Sequence, residues 1–194
     1  MKGSKFYAYL SRMKHIFRWQ LMKNSQPESL SVHTLDTVVI AHALGLLRLR
    51  RFGGKCDVDR LIQLAVYHDC SEIITGDMPT PIKYYNPEIK RAYKEVEAVA
   101  NRKLSDMAPD DLRSDYASLL DHTGEDPELL RLLKAADKLS ALVKCVEEEN
   151  SGNHEFSRAK ESILASIKEM RLPEADVFID EFLPSYGLTL DELG

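Results

Sequence analysis

Apolar residues recur every three or four positions through nearly the whole chain, and alternating apolar and polar runs of the strand type are hard to find. That spacing matches the turn of an α-helix and predicts an all-α fold, cut by proline and glycine into about eight helices. A first helix is expected from Ser4 to Phe17, where Phe6, Tyr9, Leu10, Met13, Ile16 and Phe17 share helical spacing, then a long loop from Trp19 to Leu30. A second runs from Ser31 to Phe52. Its last turn carries Arg48, Arg50 and Arg51 ahead of Gly53-Gly54, which reads as a cationic, glycine-capped helix end rather than a phosphate or nucleic-acid patch.

Asp57 can cap a third helix reaching Thr75, and Gly76-Asp77-Met78-Pro79-Thr80-Pro81 is too rich in turn formers to continue it. Asn86-Pro87 and Asp126-Pro127 each place a capping side chain before a proline, opening helices to Met107 and Glu149. A shorter helix is expected from Pro109 to His122. Helices from His154 to Met170 and from Pro173 to Leu183 complete the set, with Ser185 to Gly194 as a tail.

At 194 residues with 44% hydrophobic content, the chain can bury one core, so residues 1–194 read as a single domain. A net charge of −5 gives no global basic field for a nucleic-acid polymer. Cys56, Cys70 and Cys145 are odd in number and contain no CxxC pair, which argues against a disulfide framework and points to a reducing cytoplasm. No apolar run free of charge approaches the roughly 20 residues of a membrane span, so no membrane segment is expected. The opening stretch is basic, from Lys2 through Lys23, but its helical apolar spacing reads as a packed first helix and not as a transit peptide.

His68 and Asp69 are adjacent, with His33 upstream and Asp137 downstream. Neutral imidazole nitrogens and hard carboxylate oxygens suit borderline and hard divalent ions. On a continuous helix His68 and Asp69 stand about 100° apart and can converge on one ion, with Glu72 on the same side. Asp137 lies on an apolar stripe with Leu130, Leu133 and Ala141, where a carboxylate needs a pairing cation, a proton or a metal. His42 falls on the opposite face of its helix from His33 and reads as a structural histidine.

The ordered set of His33, His68-Asp69 and Asp137 resembles the HD-domain superfamily of helical, metal-dependent phosphohydrolases. Arg18-Trp19, Ser31-Val32-His33, Tyr67 to Glu72, Gly76 to Tyr84 and Ala135-Ala136-Asp137 are together similar to the bacterial HD-domain 5′-deoxynucleotidases. Cys70 stands where that family usually has alanine. The resemblance implies a single HD-type fold and hydrolysis of deoxyribonucleoside 5′-monophosphates to deoxyribonucleoside and phosphate. One divalent cation (cobalt, manganese, zinc, copper or magnesium) would be held by His33, His68, Asp69 and Asp137. It further implies that Glu72 orients or deprotonates the attacking water and that Arg18 orients the phosphoryl group. Trp19 would exclude a ribose 2′-hydroxyl, Asp77 and Thr80 would contact the sugar, Asp69 and Asp137 would face the substrate, and two copies would form a homodimer. The competing expectations are another nucleotide substrate (cyclic, triphosphate or guanosine polyphosphate) and a non-catalytic helical interaction module.

Overall fold

Asn86 and Asp126 cap their helices as their residue types and positions dictate. Asn86 Oδ1 accepts a hydrogen bond from the Ile89 amide at 2.7 Å, and Asp126 Oδ1 accepts one from the Glu128 amide at 2.9 Å. In this computed structural model, which describes residues 4–83 and 85–194, the helices in order are α1 (Phe6–Leu10), α2 (Leu30–Arg50), α3 (Val58–Tyr67), α4 (Glu72–Thr75), α5 (Thr80–Lys83), α6 (Pro87–Met107), α7 (Arg113–Leu120), α8 (Pro127–Asn150), α9 (Ser157–Glu169), α10 (Pro173–Val177) and α11 (Leu190–Leu193). Lys2 and Tyr84, cited above, lie outside the described residues. Among those residues there is no strand, only one antiparallel bridge between Phe17 and Ser29. The fold is all-α, as the periodicity predicts.

The helix expected from Pro109 to His122 spans only Arg113–Leu120, and further departures from the sequence reading each have a local reason. The first helix does not reach Phe17: α1 tightens into a 3₁₀ turn over Ser11–His15, and Ile16 becomes extended. Leu30 N–H to Ile16 O at 2.8 Å and Arg18 N–H to Glu28 O at 3.0 Å then draw the backbone out of the helix, leaving Phe17 exposed. The expected helix from Asp57 to Thr75 is broken at residues 68–71. The stretch Phe178–Phe182 widens to a π-helix after α10, and the expected tail, exposed from residue 185 onward, contains a 3₁₀ turn and the short α11.

The chain divides into two units. The first comprises Met1–Leu21, Pro27–Thr34 and Val66–Glu125. Its core gathers Phe6, Met13, Leu30, Cys70, Ile73, Leu104, Ala108 and Leu120. Tyr116 lies against this core, with its ring 4.3 Å from that of Phe6 and its hydroxyl 2.8 Å from that of Tyr7.

The second unit comprises Met22–Gln26, Leu35–Ala65 and Asp126–Gly194, with α8 packed against α9. Its largest fully buried side chains include Ile40, Leu44, Leu61, Leu132, Leu139, Leu142, Phe156 and Ile167. Arg48 is buried rather than lying free at a helix end: its Nε donates to Glu174 at 2.7 Å and an Nη donates to Glu128 at 3.1 Å. Helix α2 is more apolar than the sequence reading allowed, with a window of mean hydropathy 1.5 that would suffice for a membrane span. Half of that window is buried within the fold, however, which is the pattern of a core helix.

Glu148 organises the polar interior of this unit. Its carboxylate receives the Lys144 ammonium, the Ser25 amide at 2.8 Å and the Asn153 Nδ2 at 2.7 Å, while Lys144 Nζ also donates to the Gln26 carbonyl at 2.6 Å. Burial would raise its pKa, but these donors outweigh burial and lower it from the ordinary 4.5 to about 2. A carboxyl with a depressed folded-state pKa contributes stability above its unfolded pKa, and that contribution is lost as pH falls toward the folded value. Glu148→Ala, which strands Lys144, should lower stability by about 3–5 kcal/mol. The variant should also lose less stability than the parent on acidification from pH 4.5 toward 2, and thermal melts across that range read both effects.

Candidate metal centre

The break between α3 and α4 makes the centre. Tyr67 O accepts from the Cys70 amide at 3.2 Å and Asp69 O from the Glu72 amide at 3.0 Å, so the turn closes on three-residue bonds. Cys70 is fully buried in the core, its sulfur 4.0 Å from that of Met13. Burial pushes its thiol pKa up to about 12, so it packs as a small apolar group. With Cys70 turned inward, His68 and Asp69 are carried on the tight outer part of the turn instead of on a regular helix face, which corrects the 100° argument. His33 approaches from the first turn of α2, where Ser29 O accepts its amide at 3.1 Å, and its side chain is completely buried.

Both imidazoles face one carboxylate oxygen. Asp69 Oδ2 lies 3.1 Å from His68 Nε2 and 3.5 Å from His33 Nε2, and the two nitrogens are 3.4 Å apart. Ligands about 2.1 Å from a common ion stand about 3.0–3.4 Å from each other in octahedral or tetrahedral arrangements. The triangle therefore has the edge lengths of a coordination face. Three lone-pair donors crowded together must share protons or a cation, and neutral imidazoles with an ionised carboxylate form a competent donor set for a divalent ion. Burial would raise the Asp69 pKa, but the neighbouring His68 and the bonds from His33 and His68 outweigh it, holding the group well below the usual carboxylate range.

Glu72 begins α4 and is 5% exposed, with no hydrogen-bond partner for Oε2. Burial, then the nearby negative charges of Asp69 and Asp77, raise its pKa to about 10, against the opposing pull of Lys83 and Arg18. Two carboxyls three residues apart are thereby driven to opposite protonation states, one ionised and one protonated. Asp77, in the loop after α4, is raised by burial and senses Arg18, Asp69, Lys83 and His33, which places it in the field of the same cluster. Thr80 is exposed at the start of α5.

Arg18 and Trp19 lie in the loop before α2, in the same unit. Arg18 is mostly buried, and an Nη donates to Glu28 at 3.2 Å; the Trp19 indole N–H donates to the same oxygen at 2.9 Å. Asp137 belongs to the second unit, on α8, and is half-buried, with Leu133 and Ala141 of its stripe buried and Leu130 half-buried. His42 is exposed, so it is not the packed structural histidine the sequence suggested. Sequence reasoning passed over three further residues. Lys83 donates to Glu97 at 2.9 Å and lies over the Tyr93 ring at 4.7 Å, putting a cation within range of Glu72. His122, at the end of α7, has a buried Nε2 with no partner and a pKa lowered by burial and by His68. Glu28 is separated from Arg18 by ten positions in the same loop, and nothing in the local sequence signals it.

A carboxyl whose folded pKa is raised destabilises the fold as pH rises above its unfolded value, because the unfolded chain ionises first. Glu72→Gln should therefore raise the melting temperature of metal-stripped protein at pH 8, on the order of 2–4 °C per kcal/mol relieved. The gain should shrink as pH falls toward 4.5, and paired thermal melts at the two pH values check it.

Comparison with known proteins identifies the family and the fold. The profile of the YfbR-like 5′-deoxynucleotidases matches residues 5–186. The chain is 45% identical over 194 residues to a 5′-deoxynucleotidase of Vibrio parahaemolyticus, covering all of both proteins. It is 46% identical to the 5′-deoxynucleotidase YfbR of Salmonella paratyphi B, covering all of this chain and 97% of that one. A crystal structure of an HD-domain phosphohydrolase from Listeria innocua superposes with a TM-score of 0.82 at 26% identity, covering 94% of this chain and 88% of that one. The HD phosphohydrolase of cyanophage S-2L, bound to dA and one catalytic zinc ion, shares the fold with a TM-score of 0.69 at 19% identity, covering 92% of this chain and 96% of that one. The chain belongs to the YfbR-like 5′-deoxynucleotidase family.

Proposed function

We infer that this protein hydrolyses deoxyribonucleoside 5′-monophosphates to deoxyribonucleoside and phosphate. The observation that carries the chemistry is the convergence of His33 and His68 on one oxygen of Asp69 beside a buried, proton-holding Glu72. We propose that His33, His68 and Asp69, with Asp137 as the fourth donor, hold one divalent cation, and that residues 1–194 act as a single domain. Cobalt, manganese, zinc, copper and magnesium are all compatible with this donor set. When bound, the cation supplies Lewis acidity to the phosphoryl oxygens and acidity to a water.

The remaining chemistry belongs to the chain's own side chains. Glu72 takes a proton from the attacking water as its oxygen bonds to phosphorus. The bond from phosphorus to the 5′ oxygen breaks, and the departing oxygen takes the proton that Glu72 received, so one water is consumed per phosphate released and Glu72 is restored. A carboxyl with its pKa near 10 is a poor base at neutral pH, so positive charge beside Asp69 must relieve the repulsion before Glu72 can act. Asp69 and Asp137 border the phosphoryl group. Arg18 presents further guanidinium donors to the phosphoryl oxygens, while Asp77 and Thr80 contact the deoxyribose. Trp19 lies against C2′ and leaves no space for a hydroxyl.

Two further parts of the reading concern the protein as a whole. The side chains of Leu35 and Val39 on α2 are well exposed, which supports association of two copies. The three free cysteines support a cytoplasmic setting.

Phosphate release from paired deoxy- and ribonucleoside 5′-monophosphates, with each divalent ion restored separately to stripped protein, tests the activity. Turnover should require metal and favour the deoxy substrates; release only from cyclic or polyphosphate nucleotides would refute it. Glu72→Gln should retain bound metal, by elemental analysis, and lose about 10²–10⁴-fold in kcat.

A further inference from the structure

We propose that Glu28 is a positioning residue that aims the phosphate-binding Arg18 and the sugar-facing Trp19 as one unit, so that a single buried carboxylate sets both phosphate affinity and sugar selectivity. The inference rests on the roles given to Arg18 and Trp19 above and adds the residue that holds them.

Three observations carry it. First, Glu28 Oε2 accepts from Arg18 Nη1 at 3.2 Å and from Trp19 Nε1 at 2.9 Å, so two consecutive side chains meet at one oxygen atom. Glu28 is 5% exposed, and a carboxylate so enclosed bonds its donors more strongly than one in water does. Second, the backbone supports the same geometry: Arg18 N–H donates to Glu28 O at 3.0 Å, and the Phe17–Ser29 bridge fixes the two ends of the loop. Third, Trp19 adopts φ 59°, the left-handed region that bulky residues avoid. Successive side chains on extended backbone point to opposite sides, and the left-handed residue brings the indole round to the guanidinium, whose carbon lies 5.8 Å from the ring centre. Such a conformation persists where surrounding contacts over-determine it.

The donor inventory explains why one acceptor suffices. Indole has a single N–H, so bonding it to Glu28 fixes the ring plane and its tilt toward the sugar. Guanidinium has five N–H donors in a planar fork, so the single bond to Glu28 is enough to orient the whole group. Glu28 needs no contact with the substrate, and its effect reaches the substrate only through these two side chains.

Trp19 is the only tryptophan in the chain, so its fluorescence reads the Glu28 link without reference to catalysis. Glu28→Gln, which is isosteric, should shift the emission to longer wavelength and increase quenching by acrylamide. It should also weaken protection by inorganic phosphate against that quenching. With each substrate at its optimal metal, the ratio of kcat/KM for deoxy over ribo monophosphate should fall by about tenfold, the scale of one hydrogen bond to a charged group. KM for the deoxy substrate should rise more than kcat falls. Glu28→Asp, which keeps the charge but shortens the reach, should show the same loss of selectivity and serves if the glutamine variant does not fold.

A double-mutant cycle with Trp19→Phe decides whether Glu28 acts through the indole: the double variant should be no less selective than Trp19→Phe alone. Unchanged emission and quenching, or fully additive effects on selectivity, would overturn the assignment. If the parent enzyme treats both sugars alike, the sugar-facing role of Trp19 fails instead, and the fluorescence of Glu28→Gln still decides whether Glu28 holds the indole.

Discussion

Two imidazole nitrogens and one carboxylate oxygen held 3.1–3.5 Å apart form an arrangement that no chain adopts without being forced to, since each group would keep its own water if free. The structure supplies the force through a broken helix. Cys70 turns into the core, three-residue hydrogen bonds close the turn, and His68 and Asp69 are carried at its tight end. The start of α2 brings His33 in from the other side, with Leu30 buried in the same core as Cys70. The core thus sets the positions of these three groups, and packing energy is converted into a fixed donor geometry.

Electrostatic consequences follow from that placement. Asp69 faces two imidazoles and ionises readily; Glu72, a few residues on and buried with an unsatisfied oxygen, faces Asp69 and Asp77 and holds its proton. Environments that push two carboxyls apart in pKa assign them different tasks, one as ligand and one as acid or base. The positive charges of Lys83 and Arg18 moderate the shift. Such a site is costly to the fold; the second unit buries charge of its own in the Lys144–Glu148 pair and in Arg48 with Glu174 and Glu128, where one Glu174 oxygen is left without a partner.

The loop ahead of α2 shows how an irregular segment can be as well determined as a helix. Its ends are bridged, Trp19 is held in a left-handed conformation, and one carboxylate receives the side chains of both Arg18 and Trp19. Loops of this kind carry selectivity because their backbone need not satisfy a helical or strand period, leaving each side chain free to be aimed separately.

Helical periodicity, the Asn86-Pro87 and Asp126-Pro127 caps, and the order of His33, His68-Asp69 and Asp137 were legible in the chain because each depends on residue type and local spacing alone. On that basis the all-α class, the starts of α6 and α8 and the family were within reach of the sequence. The break at residues 68–71 was not, since the apolar period runs through it and only the burial of Cys70 in a core built from distant segments bends the chain there. The exposure of His42 and the half-burial of Asp137 likewise depend on which helix faces find partners. Glu28 was illegible for the same reason: a glutamate in a polar loop carries no local signal, and its role arises when a bridge closes the loop and brings Arg18 and Trp19 to one oxygen. Residue type and period determine the elements and the chemical inventory, whereas convergence, burial and the resulting pKa values are long-range quantities that only the tertiary structure decides.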